Sequence, residues 1–269
     1  MAATAALENR NGEAVDFAEK VTTMTGEQVL LERNGRVAEI ILNRPERKNA
    51  INGPLALRLQ AAIDECSADA GIGAILIRGS SGVFCSGLDL KEFNADPPPD
   101  WLAGFQAAWR GVHERLYACD KAIVVALDAY AINAGSALAL SADFIVAGET
   151  AFLQVGEVRQ GRPAPMNLAW LRMRYGDGMA RRIMLLGRRI PGPELLQLGI
   201  AHEVVPDVDV LSSSRALAAE LSEISGIAGT KQVFRLTDLP GRPNDWFEEA
   251  ANAARAVGRA SGPIPSLKT

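Results

Sequence analysis

The fold is indicated most strongly by residues 130–138, Tyr130-Ala131-Ile132-Asn133-Ala134-Gly135-Ser136-Ala137-Leu138, which follow the continuous apolar run Ala122–Leu127. A second stretch, Phe84-Cys85-Ser86-Gly87-Leu88-Asp89-Leu90-Lys91, follows another apolar run, Ala74–Ile77. In both places the short apolar run predicts a buried strand, and the glycine-containing turn behind it leads into a helix. The first N–H groups of a helix have no partner within it, so we expect both turns to present free backbone donors.

Strand and helix patterns alternate through the first part of the chain. Two apolar runs separated by Asn34-Gly35 predict a β-hairpin. Apolar residues at helical spacing predict a helix over Leu55–Cys66 and another around Leu102–Leu116. This alternation indicates an α/β fold with a mainly parallel sheet covered by helices. The remaining predicted elements of this part are the strands Val29–Glu32, Val37–Leu42, Ala74–Ile77, Ala122–Leu127 and Phe144–Ala147 and the helix Ala134–Ser141.

Beyond residue 165 the pattern is helical. Residues 1–27, rich in Ala, Glu and Thr, predict a loosely ordered extension. We therefore expect three parts: the extension 1–27, an α/β core over 28–206 and a helical C-terminal region over 207–269. The helices predicted after residue 165 are Asn167–Arg174, Gly178–Leu186, Pro193–Leu198, Leu211–Ser225 and Trp246–Val257.

Composition limits the class of protein. The 269 residues are 48% apolar and 22% charged, as in an ordinary globular protein, and the net charge of −4 gives no attraction to nucleic acid. The three cysteines, Cys66, Cys85 and Cys119, are widely spaced and match no zinc motif, so we expect a reducing cytoplasmic location and no metal site. We expect neither a signal peptide nor membrane insertion, because no apolar run is long enough.

A third stretch, Asn43-Arg44-Pro45-Glu46-Arg47-Lys48-Asn49-Ala50-Ile51, precedes the other two. In this order the three stretches resemble the crotonase (enoyl-CoA hydratase/isomerase) superfamily, and the resemblance runs from about Val29 to about Lys231. It implies a crotonase-like spiral of β-β-α units and a coenzyme A thioester as substrate, with no tightly bound cofactor. It also implies a role in fatty acid metabolism and assembly as a homotrimer or a dimer of trimers.

The resemblance assigns roles to residues of all three stretches. By motif, the backbone N–H groups of Leu88 and Ala134 form an oxyanion hole, which stabilises the negative charge that develops on a thioester oxygen. Asp89 braces the first turn. Arg47 and Lys48 are candidates for the coenzyme A phosphates, with a solvated charge cluster as the alternative. The expected coenzyme A-binding residues are Arg47, Lys48, Ala50, Ser86, Leu88, Asp89, Leu90 and Ala134.

Only one of the two acids of the family is present. Hydratases of the family place one glutamate on the helix after the second turn, where this chain has Ala137, and another about twenty residues later, where it has Glu157. Glu157 is therefore the expected catalytic base. One carboxylate can remove a proton and return it elsewhere, as double-bond migration requires, so isomerisation is favoured. Hydration stays open, with Ser136 and Asn133 as candidates to position water.

The missing acid also leaves room for other functions. A non-catalytic acyl-CoA-binding protein is one alternative, and another crotonase reaction, such as thioester hydrolysis or decarboxylation, is a second. His202 is expected in a structural helix-to-strand connection, and His113 is expected to be a surface or packing residue. The residues expected either to line an acyl pocket or to belong to the core are Trp101, Phe105, Met166 and Trp170.

Overall fold

The computed structural model of the chain describes residues 27–237 and, beyond them, residues 247, 248, 250–252 and 255. The predicted N-terminal extension, apart from Glu27, and much of the predicted helix Trp246–Val257 lie outside the described residues. Among the described residues the strands are β1 (Val29–Asn34), β2 (Val37–Leu42), β3 (Ala74–Gly79), β4 (Ala122–Leu127), β5 (Tyr130–Ile132), β6 (Phe144–Gly148), β7 (Phe152–Gln154), β8 (Arg189–Pro191) and β9 (Glu203–Val205). The α-helices there are α1 (Gly53–Ala68), α2 (Leu90–Phe93), α3 (Phe105–Ala118), α4 (Ala134–Leu140), α5 (Pro165–Leu186), α6 (Gly192–Gln197), α7 (Val210–Ser222) and α8 (Ile227–Thr237).

The larger sheet is built from the apolar runs that predict strands. β1 and β2 pair antiparallel about Gly35, which has a left-handed φ of +54°, and the predicted hairpin is confirmed. From β2 onward all neighbours are parallel, in the spatial order β1-β2-β3-β4-β6-β9. The predicted mainly parallel sheet is therefore confirmed.

Helices cover both faces of this sheet, which explains the continuous apolar runs of its strands. On β3, Ile75 and Ile77 belong to the core that contains α1 and α3, whereas Ala74 and Leu76 pack with α7 on the other face. Successive side chains of a strand point to opposite faces, so a strand buried on both sides is apolar throughout. Because α7 begins at residue 210, the C-terminal part contributes to this core, and the predicted boundary at residue 206 stays a prediction.

A second, three-stranded sheet lies beside the first. β5 pairs in parallel with β7, and β7 pairs antiparallel with β8. The sequence patterns predict none of these strands, because each is only three residues long. β5 leads directly into Asn133, and β7 ends at Gln154, three residues before Glu157. The small sheet thus sets the second glycine-containing turn beside the loop that carries the predicted base.

The helical part agrees with expectation in one place and differs in another. The helices predicted over Asn167–Arg174 and Gly178–Leu186 lie on either side of a kink in α5 at Gly176, whose φ of 78° and ψ of 170° are non-helical. The sequence patterns do not predict α8, whose apolar residues Val233, Phe234 and Leu236 are exposed and form no buried stripe. None of the helices among the described residues combines the length and apolar character that crossing a bilayer requires.

A buried charge network fastens α7 to the larger sheet. Glu39 on β2 accepts hydrogen bonds from Arg215 of α7 at 2.6 and 3.0 Å and from Arg78 of β3 at 2.8 Å. Burial by itself raises the pKa of the Glu39 carboxyl, but the hydrogen bonds from the two guanidinium groups bring this pKa below its ordinary value. Glu39 is therefore an ionised carboxylate at neutral pH.

Removing the Glu39 carboxylate is expected to destabilise the fold. Glu39→Ala leaves Arg78 and Arg215 without their buried partner, so the free energy of unfolding should fall by about 3–5 kcal/mol. Urea denaturation at pH 7 measures this change. The matched control is Glu32→Ala, because Glu32 meets Arg78 only at 3.5 Å and is partly exposed; its loss should stay below about 1 kcal/mol. Equal losses in the two variants would contradict this description of the network.

Candidate active site

Two turns lie side by side at the centre of the site. Cys85 and Ala131 form a parallel bridge, in which Cys85 N donates to Tyr130 O and Ile132 N donates to Cys85 O, both at 3.1 Å. Glycine permits this close approach. A Cβ atom on Gly87, whose φ is +99°, would lie 2.9 Å from the Ile132 carbonyl oxygen, and one on Gly135 would lie 2.7 Å from the Cys85 carbonyl oxygen.

Both turns contain backbone N–H groups that have no partner among the described residues, and those of Leu88 and Ala134 are among them. Leu88 directly follows Gly87 and Ala134 directly follows Asn133, and a Cβ atom on Gly87 would lie 3.5 Å from the Cβ atom of Asn133, so the two residues lie on neighbouring backbone segments. Within the part of the chain that the structure describes, nothing accepts a hydrogen bond from the N–H of Leu88 or Ala134. The two turns that carry the predicted donors are therefore neighbours, and the oxyanion hole stays a prediction.

Asn133 connects the second turn to the loop of the predicted base. Its backbone has φ 53° and ψ −110°, a conformation that is unfavourable for a residue with a side chain. Its N–H donates to Gln154 O at 2.8 Å, its Oδ1 accepts from Gly156 N at 2.8 Å, and its Nδ2 donates to Gln160 Oε1 at 3.1 Å. Both ends of this side chain bind protein, so Asn133 braces the loop, and its predicted role in positioning water stays a prediction.

Glu157 begins the short 3-10 helix that follows this loop. Its Oε1 accepts a hydrogen bond from Asn167 Nδ2 at 3.2 Å. Its Oε2 is buried and has no hydrogen-bond partner among the described residues. Burial raises the pKa of Glu157 to about 8, and the hydrogen bonds that favour the ionised form offset this only in part. At pH 7 most molecules therefore carry a neutral carboxyl group with one unsatisfied oxygen.

Asn167 is a site residue to which the sequence analysis assigns no role. It lies in the first turn of α5 and is 2% exposed. Its Nδ2 also donates to the Asn133 carbonyl oxygen at 3.0 Å, and its Oδ1 accepts from Ser136 Oγ at 2.8 Å. Ser136 is fully buried on α4, next to the equally buried Ala137. The side chains of Ser136, Asn167 and Glu157 therefore form one hydrogen-bonded row.

The first turn is held by Arg44, another residue without a predicted role. The Arg44 guanidinium donates to Asp89 Oδ2 at 3.0 Å, to Glu92 Oε1 at 2.6 Å and to the Ala50 carbonyl oxygen at 2.6 Å. Asp89 Oδ1 accepts from the N–H groups of Lys91 and Glu92, each at 3.2 Å. The bracing and capping predicted for Asp89 is confirmed. Residues 43–51 are thereby fastened to the turn that carries Leu88.

The predicted coenzyme A residues lie close together on these two loops. Ser86 N–H donates to the Lys48 carbonyl oxygen at 3.1 Å, and the Ser86 hydroxyl donates to the Arg47 carbonyl oxygen at 3.4 Å. The Lys48 side chain is exposed. Arg47 is partly exposed and lies 3.4 Å from Asp89 Oδ2, so its charge is partly neutralised. Leu90 follows Asp89 as the first residue of α2.

The histidines and the aromatic residues belong mainly to the scaffold. His113 is fully buried, so its predicted packing role is confirmed and the surface alternative is wrong. Its Nδ1 accepts from Trp170 Nε1 at 2.9 Å, and burial lowers the pKa of His113 to about 3. His202 lies between α6 and β9, as predicted. The large side chains that are buried in the main core are Phe105, Met166 and Trp170, whereas the Trp101 ring lies against Gly53.

Comparison with known proteins agrees with this arrangement. Residues 32–235 match the family model described as enoyl-CoA hydratase/isomerase. Over 207 residues the chain is 34% identical to a probable enoyl-CoA hydratase of Mycobacterium bovis, covering 76% of this chain and 79% of the relative. It is 29% identical over 211 residues to the 2,3-dehydroadipyl-CoA hydratase of Escherichia coli, covering 77% and 82%. The crystal structure of a carnitinyl-CoA hydratase from Mycobacterium avium has a TM-score of 0.76 at 26% identity, covering 88% of this chain and 92% of that one.

The scaffold and its paired turns are those of an α/β protein with the crotonase-like spiral, and this fold prediction is confirmed. The chain belongs to the enoyl-CoA hydratase/isomerase family.

The raised pKa of Glu157 predicts a dependence of stability on pH. The ordinary pKa of this carboxyl is 4.5 and the folded value is about 8. The unfolded chain therefore loses this proton first, and folding stability falls as pH rises from 4.5 to 8. Glu157→Gln removes that loss, so at pH 8 the variant should be more stable than the wild type by about 2–5 kcal/mol.

Urea denaturation at pH 4.5 and at pH 8 measures this difference. It should be small at the lower pH and largest at the higher one. Glu149→Gln, at an exposed position, is the matched control and should show no such trend. A stability difference for Glu157→Gln that is the same at both pH values would show that the carboxyl is not buried in its neutral form.

Proposed function

We propose that the protein isomerises or hydrates an enoyl-CoA, using the N–H groups of Leu88 and Ala134 as an oxyanion hole and Glu157 as its single catalytic base. One observation carries the proposal: the buried carboxyl of Glu157 has an oxygen without a partner, and it lies on the loop that Asn133 ties to the free N–H of Ala134. A buried acid of raised pKa beside aligned donors is typical of a proton-transfer site.

The chemistry requires only these groups. The thioester oxygen accepts hydrogen bonds from Leu88 N–H and Ala134 N–H, which stabilises the enolate that forms when a proton leaves the α-carbon. In isomerisation of a 3-enoyl thioester, the ionised Glu157 takes a proton from C2. The double bond then moves from C3–C4 to C2–C3, and the protonated Glu157 returns the proton to C4. The proton removed from C2 is the one returned to C4, and the electron pair of the C2–H bond becomes part of the new double bond, so the reaction needs no second acid.

Isomerisation is favoured because the second acid is missing. Ala137 is buried and cannot titrate, so hydration would have to use the same carboxyl to accept a proton from water and deliver a proton to C2. The relatives named as hydratases keep hydration open. The alternatives are a non-catalytic acyl-CoA-binding protein and a crotonase reaction such as thioester hydrolysis or decarboxylation. A buried acid with a free oxygen favours catalysis over binding alone.

Coenzyme A binding is proposed for the loops that Arg44 fastens together. Arg47 and Lys48 supply positive charge for the phosphates, while Ala50, Ser86, Asp89 and Leu90 lie on the adjoining backbone. We propose the same assembly that the resemblance implies, a homotrimer or a dimer of trimers, which a mass measurement in solution would test.

A screen of enoyl-CoA substrates in heavy water, read by mass spectrometry, tests the reaction. Double-bond migration with deuterium exchange and without addition of water supports isomerisation. A product that is heavier by one heavy-water molecule supports hydration. Saturable binding with no change in any substrate would contradict catalysis and favour the binding protein.

The role of Glu157 is tested by Glu157→Gln, which keeps the shape of the side chain and removes its ionisable proton. We expect kcat to fall by at least about 100-fold, because the variant has no base at the α-carbon. Steady-state turnover of the best substrate from the screen measures this. Glu149→Gln is the control and should keep wild-type activity, since it removes an exposed carboxylate outside the site. Unchanged turnover in Glu157→Gln would exclude this residue as the base.

A further inference from the structure

The two oxygens of the Glu157 carboxyl group have different surroundings. Oε1 accepts a hydrogen bond from Asn167, whereas Oε2 is buried and has no partner among the described residues. Asn167 is almost fully buried, so its amide is held by protein groups and not by solvent. The difference between the two oxygens is therefore a consequence of where Asn167 lies.

Neighbouring hydrogen bonds determine which end of the Asn167 amide faces Glu157. Asn167 Nδ2 lies 3.0 Å from the carbonyl oxygen of Asn133, which can only accept. The Ser136 hydroxyl lies 2.8 Å from Asn167 Oδ1 and 2.6 Å from the Asn133 carbonyl oxygen, and its one hydrogen is shared between these two acceptors. A flipped amide would place its oxygen against the Asn133 carbonyl oxygen, so the N–H end is assigned to Asn133 and Glu157.

We infer that Asn167 is a positioning residue that confines the transferable proton of Glu157 to Oε2. An amide N–H donates and cannot accept, so a protonated carboxyl that receives this N–H at Oε1 carries its own proton on Oε2. Ser136 contributes to this arrangement from α4, because its hydroxyl is shared between the oxygen of the Asn167 amide and the Asn133 carbonyl oxygen. The inference rests on the proposed role of Glu157 as the base.

Charged groups around Glu157 do not provide another explanation. α4 carries no titratable side chain, and neither do the first seven residues of α5. Arg159 directs its guanidinium to carbonyl oxygens at the end of α5, and Asp89 on the facing turn is paired with Arg44. Arg162 follows on the same loop as Glu157. The pKa of Glu157 is raised by burial.

The pH dependence of kcat tests the inference. In Asn167→Ala the ionised form of Glu157 loses its donor, so its pKa rises above the wild-type value. Proton abstraction needs the ionised form, so the rising limb of kcat against pH should move upward by about one to two pH units. Ser136→Ala, which releases the oxygen of the Asn167 amide, should move this limb in the same direction by less.

Ser214→Ala is the matched control for Ser136→Ala. Ser214 is also fully buried, and its hydroxyl donates to the Val210 carbonyl oxygen at 2.7 Å within α7. We expect the rising limb of the kcat–pH curve of Ser214→Ala to coincide with that of the wild type. If Asn167→Ala does not fold, infrared difference spectra of Ser136→Ala recorded against pH test the inference instead, because they follow the Glu157 carboxyl band directly. The band is identified by its absence in Glu157→Gln.

The inference is wrong if the rising limb of the kcat–pH curve does not move in Asn167→Ala. If that variant is unfolded, the inference is wrong when the titration of Glu157 does not shift in Ser136→Ala. Either result leaves the assignment of Glu157 as the base intact. Turnover that survives in Glu157→Gln overturns the base assignment itself. The two failures are therefore distinguished by different variants.

Discussion

The site depends on the hydrogen bonds that hold Asn133 in an unfavourable backbone conformation. With φ 53° and ψ −110°, this residue persists only because its N–H is held by Gln154 and its side-chain oxygen by the N–H of Gly156. Ala134 follows Asn133 directly, and Glu157 follows Gly156. Asn133 thus fixes the position of a free backbone donor relative to a buried acid. The hydrogen-bonded side chains of Asn167 and Ser136 extend this arrangement.

The larger sheet could be predicted because its signals are local. A strand buried on both faces is an uninterrupted apolar run, as in Ala122–Leu127, and an Asn-Gly pair marks its own turn. The second sheet could not be predicted, because its three-residue strands are defined by partners far along the chain, such as Ile190 opposite Leu153. α8 could not be predicted either, because its apolar residues Val233, Phe234 and Leu236 are exposed and form no buried stripe.

The site could be predicted only where spacing within a motif carries the chemistry. That spacing predicts Leu88, Ala134 and Glu157 as site residues, and the structure brings the loops of Ala134 and Glu157 together. No local pattern indicates Asn167 or Arg44, because their roles come from contacts between distant segments. Asn167 contacts a carboxyl ten residues earlier only after the loop has folded, and Arg44 contacts Asp89 across two turns. His113 contacts Trp170, which lies on another helix, so the sequence of its own helix does not indicate that His113 is buried.

In the proposed reaction, the buried Glu157 carboxyl moves protons at the α-carbon of a coenzyme A thioester, and the N–H groups of Leu88 and Ala134 bind the thioester oxygen. Exchange of the α-protons of a saturated acyl-CoA, such as butyryl-CoA, in heavy water isolates this step, because no double bond can migrate and no water can add. We expect that the wild-type protein incorporates deuterium at C2 and that Glu157→Gln slows this exchange by about 100-fold or more. Equal exchange rates in the two proteins would contradict it.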